Sequence, residues 1–279
     1  AQALDPWRKR KVECPCMEKL APLDRCTALD VAGSAVAEAG RLLLELSRKP
    51  IEVLCEPGHD IKLRADQLAE ERILAVLNER LPLPVLTEES GEHGAVTETS
   101  RMWIVDPLDG TFNYSRGMPM CCSSVGLWEN GQPVLGAVYN FFNDELFAGI
   151  VGQGAWLNGK PIAVSGVKAA AKASLASGFP HHQDYDDAPL REFIGQVQDF
   201  KKIRMLGSAA LMGAYVACGW LDAYVEADVW LWDIAGAVAI AQAAGAATAV
   251  RPGKAGRWAR EVVCAATPEL QAHLEAKRT

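Results

Sequence analysis

An apolar run that ends abruptly in two carboxylates constrains this chain more than any other feature. Met102, Trp103, Ile104 and Val105 have the character of a buried strand, and Asp106-Pro107-Leu108-Asp109-Gly110-Thr111 follows without transition. Pro107 fixes its own φ and biases Asp106 toward extended geometry, so the strand should stop here in a defined turn. Gly110 allows close backbone approach, and Thr111 brings an N–H and a hydroxyl. Such a layout can hold divalent cations on the carboxylates while backbone N–H groups face a phosphate. A bare Asp-Gly would be an ordinary turn. Two carboxylates at the end of a buried strand need a further reason.

On either side of this stretch the pattern is mixed α and β. From Thr27 to Ser47, apolar residues at Val31, Ala35, Val36, Ala39, Leu42, Leu43 and Leu46 have helical spacing, and Pro50 follows. Ile51–Leu54 is a short strand before Pro57-Gly58, and Asp66 opens a second helix that closes before Pro82. An Asp in that place is by itself an N-cap. Val85-Leu86 leads into Thr87-Glu88-Glu89-Ser90, where adjacent acids ahead of Gly91 are a candidate ligand site. Beyond Thr111 come the strands Ser123–Trp128, Val134–Tyr139 and Leu146–Ile150. Turn signals at Asn130-Gly131, Asn143-Asp144 and Asn158-Gly159 predict an antiparallel sheet. After Ala170 strands and helices alternate: strands Ser174–Ser177, Ile203–Leu206 and Leu221–Val225, helices Leu190–Phe200, from Gly207-Ser208 to Cys218, and from Asp233 to Gly245. The expected organisation is an N-terminal arm over residues 1–24, an α+β domain over 25–168 and an α/β domain over 169–279.

The chain has 279 residues, 49% hydrophobic and 23% charged, enough for one large domain or two that share an interface. A net charge of -7 argues against nucleic acid as main partner and demands cations if the ligand is a phosphate. Arg8-Lys9-Arg10-Lys11 is short and solvated. Eight cysteines show no zinc-site spacing, since Cys14-Pro15-Cys16 has no second pair, and reduced thiols in a cytoplasmic protein are expected. No secretory signal is visible, and the apolar stretch Ile234–Val250 holds Gln242 and glycines, so no membrane span is expected.

Asp106-Pro-Leu-Asp-Gly-Thr111 and, downstream, Trp232-Asp233-Ile234-Ala235-Gly236 resemble the two signatures of the inositol monophosphatase-like, Mg²⁺-dependent, lithium-sensitive phosphatases. The resemblance runs from about residue 25 to 270. It implies a layered αβαβα sandwich of the inositol monophosphatase and fructose-bisphosphatase type, and a homodimer. It implies two or three Mg²⁺ ions, with Asp106 bridging, Glu88 and the Leu108 carbonyl on the first, and Asp109 and Asp233 on the second. Thr111, paired with Asp66, would orient and help deprotonate the attacking water, with Glu88 beside it. The Gly110 and Thr111 N–H groups would hold phosphate oxygens. Ala209, in Gly207-Ser-Ala-Ala210, would line the substrate pocket, and Glu226 would accept hydrogen bonds from ring hydroxyls. The reaction so implied is hydrolysis of a phosphate monoester, inositol monophosphate or a related polyol or sugar phosphate, by in-line attack of water with no phosphoenzyme.

Other substrates of the same chemistry are 3′-phosphoadenosine 5′-phosphate, fructose 1,6-bisphosphate and histidinol phosphate. A bisphosphate needs a second cationic pocket, for which Lys201, Lys202 and Arg204 are the compact cluster. The departure from the family lies at Cys55–Asp66, where only Ala65-Asp66 is kept and the usual Lys and Thr are missing. Asp60 and Lys62 are the candidates to substitute. That departure keeps open a metal-holding binding or regulatory protein of weak activity; a structural protein without metal is the remaining class.

Overall fold

The computed structural model describes residues 23–56, 58, 61–179 and 187–276. The proposed arm therefore lies almost wholly outside the described residues, as do Cys14, Cys16, Asp60 and the basic run at 8–11.

Helix α1 (Arg25–Leu46) is capped by Asp24, whose carboxylate accepts from the Cys26 N–H at 3.1 Å. Strands β1 (Val53–Cys55) and β2 (Lys62–Leu63) form a small antiparallel pair before α2 (Arg64–Arg80). The strand expected at Ile51–Leu54 begins two residues later and ends one residue later. Strands β3 (Val85–Thr87), β4 (Gly91–His93) and β5 (Met102–Asp109) lead to the short α3 (Thr111–Ser115). The meander follows as β6 (Cys122–Glu129), β7 (Gln132–Asn140), β8 (Glu145–Ile150), β9 (Gly154–Leu157) and β10 (Lys160–Ile162). The second half holds β11 (Ser174–Ser177), α4 (Asp187–Asp199), β12 (Lys202–Arg204), α5 (Ala209–Ala217), β13 (Ala223–Trp230), α6 (Leu231–Ala243), β14 (Ala247–Pro252), β15 (Ala259–Ala265) and α7 (Pro268–Glu275).

Eight strands form one sheet in the order β10-β9-β8-β7-β6-β5-β3-β4, antiparallel except where β3 runs parallel to β5. The turns named from the sequence close its hairpins, and Asn130, Asp144 and Asn158 adopt φ of 54°, 54° and 50°. Five strands form the second sheet, β12-β11-β13-β15-β14, with β11 parallel to both neighbours and the rest antiparallel.

The side-chain alternation of β5 explains the layering. Trp103 and Val105 pack into the core formed with α1 and α2, while Met102 and Ile104 pack into the core formed with α5 and α6. A strand buried on both faces needs an unbroken apolar run, and that is what Met102–Val105 supplies. Tyr224 of β13 faces α5 and α6, whereas Ala223 and Val225 face the opposite side, where α7 contributes Leu270 and Leu274. The layers are therefore α1/α2, large sheet, α5/α6, small sheet, α7: the αβαβα sandwich. Helices α5 and α6 belong to the second half in sequence yet pack on the sheet of the first, so residues 25–168 and 169–279 share one core.

Helix α6 approaches the large sheet closely because three glycines face each other. A Cβ on Gly126 would stand 2.8 Å from the Ala235 carbonyl carbon, one on Gly236 would stand 2.7 Å from Ser124 Oγ, and one on Gly136 would collide with the Gly236 carbonyl. Gly136→Ala is expected to cost about 3 kcal/mol or more in denaturant unfolding, because backbone rather than a flexible side chain must yield.

Candidate active site

Register in the large sheet brings the first acids together. Thr87 is paired with Val105, so Glu88, one step beyond β3, falls beside Asp106, and its N–H donates to the Val105 carbonyl at 3.3 Å. Residues three apart on a strand should point to opposite faces. Here a bulge intervenes: Asp106 pairs with Ser124 and Asp109 with Cys122, so three residues on β5 span two on β6. Pro107 sits in that bulge, and the extra residue returns Asp109 to the face that carries Asp106. Gly110 follows with φ +86°, and a Cβ there would stand 2.8 Å from the Met120 carbonyl oxygen, so only glycine makes this turn.

Helices carry the remaining acids. Asp66 is the third residue of α2, not its cap: its Oδ2 accepts from the Leu63 N–H at 2.8 Å, and its Oδ1 accepts from the Thr111 hydroxyl at 3.1 Å. Thr111 Oγ1 also lies 2.9 Å from the Leu108 carbonyl. Asp233 repeats the arrangement on α6, where its Oδ2 accepts from the Trp230 N–H at 3.0 Å. Neither Asp is an N-cap: the caps are Leu63 and Trp230, and each Asp lies three residues beyond its cap. Each carboxylate reaches back to the turn's entry and still faces the site. Asp109 accepts from Ser208 Oγ at 2.5 Å and from the Ala209 and Ala210 N–H groups at 3.2 and 2.7 Å, which ties β5 to the start of α5.

These residues surround a cavity of about 430 Å³ whose walls include Lys62, Glu88, Asp106, Leu108, Asp109, Gly110, Thr111, Ala209, Glu226 and Asp233. Asp66 stands behind Thr111 rather than on the wall. Strand β13 does not stop at Val225 as expected; it continues through a bulge between Glu226 and Val229 to Trp230, and Glu226, on the same face as Tyr224, lines the cavity. Tyr224 donates to Glu226 at 2.8 Å. Trp230 and Trp232 stack with centroids 5.2 Å apart, and the Trp232 indole N–H is buried without a partner. Glu70 has no signal in the sequence beyond its i+4 spacing from Asp66. It is buried and accepts from Thr87 Oγ1 at 2.5 Å and from the Glu89 and Ser90 N–H groups at 3.2 and 3.3 Å, fixing the loop that carries Glu88.

So many carboxyls in one buried place resist ionisation. Burial, with repulsion from Glu89, pushes Asp66 up to about 7. Burial, then Glu89 and Asp66, pushes Glu88 up to about 8, while Lys62 opposes the rise. Asp106 and Asp233 are held well above the ordinary carboxylate range by burial and by their acidic neighbours, and Glu226 rises to about 7. Asp109 rises less, to about 6, because the hydrogen bonds from Ser208, Ala210 and Ala209 oppose its burial.

The donor set fits a hard divalent cation: oxygens only, an excess of negative charge, and a cavity wall shared by all four ligand-type acids. Among the described residues no three acidic, histidine or cysteine side chains already converge on one point at ligating distance. Asp109 accepts hydrogen bonds on both oxygens, from Ser208, Ala209 and Ala210, whereas Asp233 commits only Oδ2, to the Trp230 N–H.

The sequence profile of the inositol monophosphatase family matches residues 24–279, which includes every residue named around this cavity. The chain belongs to that family. An inositol-1-monophosphatase from Synechocystis is 37% identical over 228 residues, covering 80% of this chain and 79% of the relative. A protein named Nus factor SuhB from Xylella fastidiosa is 36% identical over 222 residues, covering 78% and 80%. Among solved structures, the extragenic suppressor protein suhB of Bartonella henselae superposes with a TM-score of 0.80 at 30% identity, covering 90% of this chain and 97% of its own. The inositol monophosphatase of Anabaena does so with 0.78 at 30%, covering 92% and 96%. The fold is of the inositol monophosphatase type, and the protein is an enzyme of the phosphoric monoester hydrolase class.

Proposed function

We propose that the protein hydrolyses the phosphate monoester of a polyol or sugar, inositol monophosphate foremost, with Mg²⁺ as cofactor. The observation that carries this reading is the Thr111–Asp66 hydrogen bond beside Glu88, Asp106, Asp109 and Asp233 on one cavity wall. Two or three Mg²⁺ ions would be held by Glu88, Asp106, the Leu108 carbonyl, Asp109 and Asp233, and would supply charge neutralisation and activation of water. Thr111 Oγ1 donates to Asp66 in the structure, so its lone pairs can position a water for in-line attack. Asp66, through Thr111, and Glu88 beside it are placed to take the proton that water gives up. The Gly110 and Thr111 N–H groups orient the phosphate, and Ala209 borders it from α5. Glu226 receives the hydroxyls of the leaving alcohol.

A bisphosphate substrate finds less support. Lys201, Lys202 and Arg204 lie along the β12 edge and are not among the residues lining the cavity. We place the enzyme in the cytoplasm as a lithium-sensitive homodimer, on the family resemblance. No described helix is long and apolar enough to cross a membrane. The test is phosphate release from inositol 1-phosphate, 3′-phosphoadenosine 5′-phosphate, fructose 1,6-bisphosphate and histidinol phosphate, with and without Mg²⁺ and lithium. Mg²⁺-dependent release that lithium suppresses, fastest on the inositol ester, supports the reading. If Mg²⁺ binds but no ester turns over, a binding or regulatory role replaces it.

A further inference from the structure

Strand β2 is two residues long, and its two side chains part company. Leu63 is fully buried in the core with α1 and α2, while Lys62 stands on the cavity wall. The Lys62 ammonium lies 3.2 Å from both oxygens of Glu89, whose side chain is only 9% exposed. Glu89 is fixed in turn, since its N–H donates to the buried Glu70 carboxylate at 3.2 Å. The ion pair with Glu89 fixes where the ammonium stands on the cavity wall. Among the described residues that line the cavity, Lys62 is the one basic side chain, set against Glu88, Asp106, Asp109, Glu226 and Asp233.

We propose that Lys62, held in place by Glu89, binds a phosphoryl oxygen of the substrate ester and of the released inorganic phosphate. This rests on the reading of the cavity as a phosphatase site. The dianion would enter a wall of carboxylates, and two divalent cations only offset the charge of Glu88, Asp106, Asp109 and Asp233. A lysine fixed by a neighbouring acid adds a permanent positive charge at a defined place, and charge-assisted hydrogen bonds to phosphate oxygens are the strong kind.

The test compares wild type, Lys62→Met and Lys62→Arg, each as the full chain with its fold checked by circular dichroism. Calorimetry measures the affinity for inorganic phosphate with and without Mg²⁺, and the affinity for Mg²⁺ alone. Steady-state kinetics on the preferred ester supply KM, kcat and the inhibition constant of phosphate. In Lys62→Met, phosphate binding and KM should weaken about tenfold while kcat and Mg²⁺ affinity change less than about threefold, and Lys62→Arg should recover most of the loss. Phosphate affinity within about twofold of wild type in Lys62→Met overturns the proposal. So does a wild type that binds no phosphate with or without Mg²⁺. If no ester turns over in wild type but Lys62→Met still weakens phosphate binding, the phosphatase reading fails and the role of Lys62 stands. If wild-type turnover is Mg²⁺-dependent and the variant leaves KM and phosphate binding unchanged, Lys62 alone is refuted.

Discussion

Asp106→Asn should abolish phosphatase activity and at the same time stabilise the metal-free protein. Asp106 is buried on the face of β5 toward α6, and Glu88, Asp109 and Asp233 all oppose its ionisation. A pair of like charges about 4 Å apart at an effective dielectric of about 20 costs roughly 4 kcal/mol. Asparagine keeps the shape, and its Oδ1 can still accept the Leu108 N–H that Asp106 accepts at 3.0 Å, but it carries no charge. At pH 8 without metal the variant should melt several degrees above wild type. With Mg²⁺ the order should reverse, because the wild type gains a ligand-linked stabilisation that the variant cannot match. Turnover should fall by about 10³-fold or more, which corresponds to roughly 4 kcal/mol of lost transition-state stabilisation. Melting temperatures with and without Mg²⁺, alongside phosphate release, check all three. A variant that is less stable than wild type in the absence of metal would refute the view that these carboxylates repel one another at the expense of the fold.

Asp106 and Asp109 were legible because local chemistry forced them to be visible. A run buried on both sides is unbroken, and it cannot end in Asp106 and Asp109 without cause; Asp233 is marked by the signature that includes Trp232 and Gly236. What the sequence does not show is register. Nothing in Asp-Pro-Leu-Asp says that a bulge will return Asp109 to the face of Asp106, although Pro107, which cannot donate to the ladder, is the residue that permits it. Asp66 and Asp233 look like caps because Asp is a good cap, and their placement at the third helical residue depends on how Leu63 and Trp230 enter their helices. Glu70 was invisible for a different reason. Its partners, Thr87, Glu89 and Ser90, are 17 to 20 residues away, and only the packing of α2 against β3 and β5 joins them. The long reach of β13 to Trp230 was likewise hidden, since Asp228, with φ +55°, reads as a strand terminator and instead serves the bulge.

Raising the pH should destabilise the metal-free protein across the range in which most proteins are indifferent to it. The sign follows from the direction of the shifts. Asp109 has a folded value of about 6, Asp66 about 7 and Glu88 about 8, against ordinary values of 3.8, 3.8 and 4.5. Between about pH 4 and pH 8 the folded state therefore holds protons that the unfolded chain has lost, and stability must fall as pH rises through that window. For Asp109 alone, a rise from 3.8 to about 6 corresponds to about 3 kcal/mol. The groups are coupled and do not add, so one such contribution is taken; about 1 pK unit of it, roughly 1.4 kcal/mol, falls between pH 5 and pH 8, and the melting temperature should be lower by about 3–6 °C at pH 8 than at pH 5. Mg²⁺ should remove most of that slope, because a cation replaces the protons and binds only where the carboxylates are ionised. Cation binding should accordingly release protons, and calorimetry in buffers of different ionisation enthalpy would count them. A metal-free melting temperature that is flat or rises between pH 5 and 8 would mean that the carboxylates are compensated by something other than a cation, and the magnesium reading would fall with it.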